Sequence, residues 1–107
     1  MFSGLTITFL REFAAGLWAT SPLLLTLTAV ITFLGQAVGR MEGWSSFDSF
    51  YWSFITATTV GYGDIRPAKL GARMLAIFIA FLGLILSGIV IAVAVHAGTK
   101  ALDAIGL

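Results

Sequence analysis

Thr56-Ala57-Thr58-Thr59-Val60-Gly61-Tyr62-Gly63-Asp64 is the stretch on which the reading of this chain turns. Two glycines flank one tyrosine directly after a threonine and valine run, and no regular helix or strand suits that order. Suppose Thr59 to Tyr62 run extended with every carbonyl turned to one side. A plain strand alternates its carbonyls, so this arrangement needs unusual dihedrals at alternate residues. Glycine reaches backbone conformations closed to other residues, and Gly61 and Gly63 are where such dihedrals cost least. The product is a ladder of carbonyl oxygens, with the Thr59 hydroxyl as one more rung.

Working outward, Ser45 with Asp48 three residues later resembles a capping box. Phe47, Phe50, Tyr51, Phe54 and Ile55 then follow the 3.6-residue period. The pattern predicts a short amphipathic helix over about residues 45–58. At about three turns, roughly 16 Å, it is too short to cross a bilayer but long enough to enter halfway and return.

The flanks are free of charge over residues 13–39 and 74–99. About 20 apolar residues span a hydrocarbon core of roughly 30 Å, so each window predicts a transmembrane helix, the first over about 21–39 and the second over about 73–98. Ser21 is the expected N-cap of the first, with Pro22 in the first helical position, where its missing N–H is not needed. In the second, Ala76, Ala80, Gly83, Ser87, Ala94 and Gly98 lie near one stripe, the kind of seam through which helices approach closely in lipid. Residues 1–20 read as an interfacial helix with Leu10, Phe13, Ala14, Leu17 and Trp18 on one face, or as an extension of the first span. No positively charged segment precedes the apolar run, which argues against a signal peptide.

Composition agrees with lipid as the main solvent. The chain has 107 residues, 59% of them hydrophobic and 10% charged, and the mean hydropathy is +1.02. Eleven charges cannot coat a soluble domain of this size, which excludes a soluble enzyme and a disordered tail. A net charge of +1 implies no attraction to nucleic acid. With no cysteine and one histidine, His96, neither disulfides nor a thiolate or histidine metal site is expected. His96 reads as an interfacial residue at the end of the second span rather than a pH sensor.

Non-helical backbone at membrane depth is tolerated only inside protein or along a water-filled path. One chain cannot surround an ion with a single ladder, whereas four chains around an axis can. At this point TATTVGYGD, placed after an aromatic short helix and before a second span, resembles the pore domain of tetrameric potassium channels, most of all the prokaryotic two-transmembrane type. The resemblance covers about residues 22–98, and Thr59 to Gly63 is its most specific part.

The resemblance implies an all-α membrane protein with two transmembrane helices, a re-entrant pore helix and an extended selectivity filter, assembled with three further copies of itself as a homotetramer. Residues 21–107 would form the pore domain. K⁺ ions would be held by the carbonyls of Thr59, Val60, Gly61 and Tyr62 and by the Thr59 hydroxyl, with no organic cofactor. The negative end of the short helix would favour a cation beside the ladder. Tyr62 would enter an aromatic collar with Trp52 as its partner, and Tyr51, Trp52, Gly63 and Asp64 would support the filter. Gly83 would be the hinge of the inner helix and Gly88 a second glycine position. Leu84, Ser87, Ile91, Ala92 and Val95 would face the cavity and inner mouth, with Ile91 or Val95 narrowest when closed.

Two departures from the family pattern matter. Ile55 stands where some relatives carry a buried glutamate that pairs with the aspartate after the filter, so Asp64 needs another partner. Tyr51, where a second tryptophan is common, or Trp52 is the expected one. The resemblance also places the protein in the cell membrane with both termini cytoplasmic. A literal count of Arg40, Arg66, Lys69 and Arg73 against Arg11 and Lys100 would put the connecting segment inside instead; the motif outweighs it. The rival functions are a non-selective cation channel on the same scaffold and a non-conducting structural or regulatory membrane protein. An enzyme is not expected, for no triad, metal cluster or phosphate motif is present. The few residues after the second span are too short for a ligand-binding domain, so the channel either lacks an attached regulator or is a pore fragment of a longer chain.

Overall fold

A computed structural model describes residues 2–107. Four helices follow one another: α1 (Phe2–Ala19), α2 (Ser21–Glu42), α3 (Ser46–Ala57) and α4 (Leu70–Ala104). No strand occurs among the described residues. Two of the helices, α2 and α4, are long and apolar enough to cross a membrane. Two compact units emerge: Leu25–Ser87, and Met1–Leu24 with Gly88–Leu107.

The unit Leu25–Ser87 is built around α3. Its core comprises Ile31 and Val38 of α2, Trp52 and Ala57 of α3, and Ala72 and Ile79 of α4, with Leu34, Leu75, Ala76 and Leu82 packed against them. Hydrophobic exclusion does not drive helices together in lipid, where close packing must do so. The α2–α3 contact is close for that reason. A Cβ on Gly35 would overlap the Ser53 hydroxyl and come 2.8 Å from its Cβ. One on Gly39 would overlap the Ser49 hydroxyl and come 2.7 Å from its Cβ. Both serine hydroxyls donate back along α3, Ser49 to the Ser45 carbonyl at 2.8 Å and Ser53 to the Ser49 carbonyl at 2.6 Å. They are therefore buried with their hydrogen bonds made. Sequence reading missed this seam, although Gly35 and Gly39 stand four apart, as do Ser49 and Ser53.

The predicted helix bounds shift in three places. α3 begins at Ser46 and ends at Ala57, with Ser45 and Thr58 as its caps; the Ser45 side chain accepts the Asp48 N–H at 3.1 Å. α2 runs past Gly39 to Glu42 and stops at Gly43, whose φ of 78° lets the Trp44 N–H close on the Gly39 carbonyl at 2.8 Å. That is a Schellman ending, for which glycine is the usual residue. α4 is longer than expected at 35 residues, starting at Leu70 and ending at Ala104. At 1.5 Å per residue it measures about 52 Å, well beyond a hydrocarbon core.

In the other unit the expected N-cap at Ser21 is replaced. Thr20 donates its N–H to the Gly16 carbonyl and accepts the Leu24 N–H, each at 3.0 Å, so helical bonding carries from α1 into α2. Pro22 has no N–H to give the Trp18 carbonyl four residues back. The Ser21 hydroxyl donates to that carbonyl instead, at 2.7 Å. The expected apolar face of α1 divides: Phe13 and Leu17 are half-buried, whereas Leu10 and Trp18 are exposed. α1 lies along the last turns of α4. Gly16 leaves room for Val93, and Leu5, Thr6 and Phe9 line a recess with Gly98, Ala101 and Leu102. His96 is exposed and borders a second recess with Gly16, Thr20 and Val93.

Candidate functional site

The C-terminal end of α3 sets the geometry of the segment that follows. A helix ends with carbonyls that have no partner within it. Here Thr58 donates its N–H to the Phe54 carbonyl at 2.9 Å, Thr59 to that of Thr56 at 3.2 Å, and Gly61 to that of Ile55 at 3.1 Å. The Thr58 hydroxyl adds a 2.6 Å bond to the Phe54 carbonyl. The negative helix end expected to face a cation is thus partly taken up by the chain's own amides.

Those bonds orient the carbonyls. A peptide unit is planar and trans, so its N–H and C=O point in opposite directions. With the N–H groups of Thr59 and Gly61 turned back onto α3, the Thr58 and Val60 carbonyls point away from it. The dihedrals alternate accordingly: φ is 65° at Thr59, 57° at Gly61 and 82° at Gly63, and is not positive at Val60 or Tyr62. Gly61 and Gly63 were expected to carry such values. Thr59 was not, because a β-branched residue in the left-handed region is an outlier and costs of order 1–3 kcal/mol. The Thr59 hydroxyl donates to the Thr58 carbonyl at 2.6 Å, which leaves its lone pairs as acceptors. The Thr58 and Val60 carbonyls thus present oxygen, the donor type that hard monovalent cations accept, on the side turned from α3.

The flanking residues hold the segment at both ends. Tyr51 donates its hydroxyl to Asp64 Oδ2 at 3.0 Å, and Asp64 Oδ1 accepts the Ile65 N–H at 3.0 Å. Trp52 packs on Trp44, with ring centroids 5.3 Å apart, and is 4% exposed. Tyr62 is 71% exposed within the single chain. Glu42, which sequence reading passed over, accepts the N–H groups of Ala68 at 2.8 Å and Lys69 at 3.0 Å. Arg73 adds a bond from Nε to the Pro67 carbonyl at 3.2 Å. The chain leaving Asp64 is thereby fastened to the end of α2 and the start of α4.

The Asp64 hydrogen bond, followed by partial desolvation and the Asp64 charge, pushes the Tyr51 phenol above its usual value near 10. The folded state therefore holds this proton more tightly than the unfolded chain does. The resulting stabilisation is present below pH 10 and is lost as pH rises through the raised value. Tyr51→Phe is expected to remove this alkaline step from the stability profile and to lower thermal stability at neutral pH. A melting curve of the variant that superimposes on the parent at pH 8 and pH 11 would show that the bond does not form.

Gly83 lies where α4 meets α3. An added Cβ would strike the Ala57 carbonyl oxygen and Cα and come 2.6 Å from its carbonyl carbon. α4 continues as helix through Gly83, and at Gly88 an added Cβ would meet nothing within 4 Å. Ile91 and Val95 are exposed in the single chain, 61% and 63%, and Ser87 is half-buried. Among the described residues no cluster of His, Asp and Glu side chains could hold a metal ion.

Several proteins share this arrangement of sequence. TWiK family of potassium channels protein 7 of Caenorhabditis elegans is 46% identical over 63 residues, which is 58% of this chain and 11% of that protein. Human potassium channel subfamily K member 17 is 39% identical over 51 residues, 48% of this chain and 15% of that protein. Human potassium voltage-gated channel subfamily A member 5 is 42% identical over 38 residues, 36% of this chain and 6% of that protein. The chain thus spans a small fraction of the length of these relatives. No solved structure is a significant match. A family model described as "Ion channel" matches residues 20–100. Because that match leaves only α1 and the last turn of α4 outside it, the chain belongs to the ion channel family.

Proposed function

We propose that this membrane protein is the pore-forming unit of a potassium-selective channel, in which four copies bring Thr59 to Tyr62 together around one axis. The observation that carries the reading is the alternation of positive φ at Thr59, Gly61 and Gly63. It comes with two backward amide bonds that leave the Thr58 and Val60 carbonyls facing away from α3. Rings of oxygens from Thr59, Val60, Gly61 and Tyr62, with the Thr59 hydroxyl innermost, replace the hydration shell of K⁺. A left-handed threonine is retained because its backbone is part of that lining, as strained residues commonly are at functional sites. Potassium channel relatives support the choice of ion. The same relatives and family, channel proteins throughout, speak against an enzyme.

In this arrangement α2 and α4 cross the cell membrane, α3 enters partway and returns, and both termini face the cytoplasm. Tyr51, Trp52, Gly63 and Asp64 support the filter from behind. Tyr62, bare in one chain, meets neighbouring copies in the collar. Ile91 or Val95 forms the narrowest apolar ring when the pore is closed. Gly83 acts as a packing point against Ala57, and a pivot in α4 is better placed at Gly88, where there is room.

The test is ion flux in liposomes containing the purified protein. K⁺ and Rb⁺ are expected to pass and Na⁺ to be excluded, with a mass in detergent equal to four chains. Equal passage of Na⁺ would overturn the carbonyl-ladder reading and leave a non-selective channel. No flux of any cation would leave a non-conducting membrane protein.

A further inference from the structure

α1 and the last turns of α4 pair over most of their common length. Leu5 and Phe9 share a recess with Ala101 at one end, and Gly16 and Thr20 share another with Val93 and Ile89 at the other. From Ile89 to Leu102 that is about 20 Å of α4 at 1.5 Å per residue. Ala97 and Ala101, within this stretch, are fully buried. The helices interlock at one level: an added Cβ on Gly16 would come 2.5 Å from Val93 Cγ1. A shift of one turn along α1 would set Val93 against Glu12 or Thr20, four residues to either side and both bearing side chains. Val93 therefore holds the pair against sliding.

Both connections of this pair to the rest of the chain pass a point where a helix bends at low cost. On the α2 side it is Pro22, which has no helical N–H, and prolines are where helices commonly kink. On the α4 side it is Gly88, a poor helix former by type, with nothing within 4 Å of an added Cβ. The compact unit that contains α1 and the end of α4 stops at Leu24 and resumes at Gly88. Its limits thus fall beside those two points.

We propose that α1 and α4 from Gly88 onward move as one body when the inner mouth opens, pivoting at Pro22 and Gly88, with the contact of Gly16 and Val93 kept throughout. The inference rests on the proposed channel and gives its gate a second helix. α1 precedes residues 20–100, so this helix lies outside the match to the family model. Were α4 to bend alone, Val93 would leave the notch at Gly16, and Ala101 would lose its cover beside Leu5 and Phe9. Close packing of that kind is what holds helices together in lipid, whereas a bend at Gly88 meets no neighbour.

The chain has no cysteine, so an introduced pair reports without background. Gly16→Cys with Val93→Cys is suited to a disulfide, for an added Cβ on Gly16 lies 3.6 Å from Val93 Cβ, inside the bridging range of about 3.5–4.5 Å. In liposomes the oxidised double variant is expected to pass K⁺ as fast as its reduced form. Pro22→Ala supplies an N–H for the Trp18 carbonyl and stiffens the other pivot. Its K⁺ flux is expected to fall about fivefold or more, since alanine favours a straight helix where proline does not, with the mass in detergent unchanged. A loss of flux on oxidation that a reductant reverses would show that α1 and α4 must part, and would overturn this inference alone. Parental flux in Pro22→Ala would do the same, and it decides the matter if the double variant does not assemble. A parent protein that passes no cation would overturn the proposed channel and this inference with it.

Discussion

Gly83→Ala is expected to lower the thermal stability of the purified protein and abolish ion flux, whereas Gly88→Ala leaves the thermal stability nearly unchanged. At Gly83 the new methyl would meet the Ala57 carbonyl oxygen and Cα, with the carbonyl carbon at 2.6 Å. These are backbone atoms of a fully buried residue at the end of α3, and they cannot rotate aside as a side chain could. Overpacking by one methylene typically costs about 1–3 kcal/mol, and a backbone neighbour places this site at the upper end. Alanine returns up to about 1 kcal/mol in helix propensity, which is not enough. Gly88 gains the same propensity with nothing in the way. Melting curves of the two variants in detergent decide the matter; coincident curves would mean that α4 does not approach Ala57 as described.

The second large effect is expected at Gly61, and its cause differs. An added Cβ there meets nothing within 4 Å, but φ is 57°. Gly61→Ala therefore carries a conformational cost alone, of order 1–2 kcal/mol for an L residue in the left-handed region. The backbone can escape by rotating the Val60–Gly61 peptide, which would break the bond to the Ile55 carbonyl and turn the Val60 oxygen toward α3. K⁺ flux should fall at least tenfold while assembly and melting temperature remain close to the parent. Unchanged flux with unchanged K⁺ over Na⁺ preference would remove the Val60 carbonyl from the ion path. The pair of variants separates two uses of glycine: one as an absence of volume, the other as freedom of backbone.

The amino-acid order revealed what depends on near neighbours and hid what depends on distant ones. The Ser45 cap was readable because its partner, the Asp48 N–H, is three residues away. Alternating dihedrals were readable at Gly61 and Gly63 because glycine advertises them, and unreadable at Thr59 because threonine ordinarily avoids them. Tyr51 or Trp52 was expected for Asp64 from the family resemblance, in which Ile55 stands where some relatives carry the partner acid, and the bond is made by Tyr51. Glu42 was missed because Ala68 and Lys69 lie 26 and 27 residues on, and backbone N–H groups leave no mark in a sequence. The pairing of Trp52 with Trp44 was missed likewise. It follows from the turn at Gly43, which was not recognised as the end of α2. Ser21 was read as a cap from its place before Pro22, but the carbonyl left without an N–H by that proline drew its hydroxyl backward.

The bonds from Thr59 to Thr56 and from Gly61 to Ile55 have a kinetic consequence. They close loops of only a few residues within one chain, and contacts of that kind form early and fast. A newly made copy can therefore adopt its half-set oxygen row before it meets another copy. In the proposed assembly the Thr58 and Val60 carbonyls are then turned before the copies meet, and the encounter has only the remainder of the row to order. A variant that loosens these two bonds should accordingly delay assembly more than it weakens the finished complex.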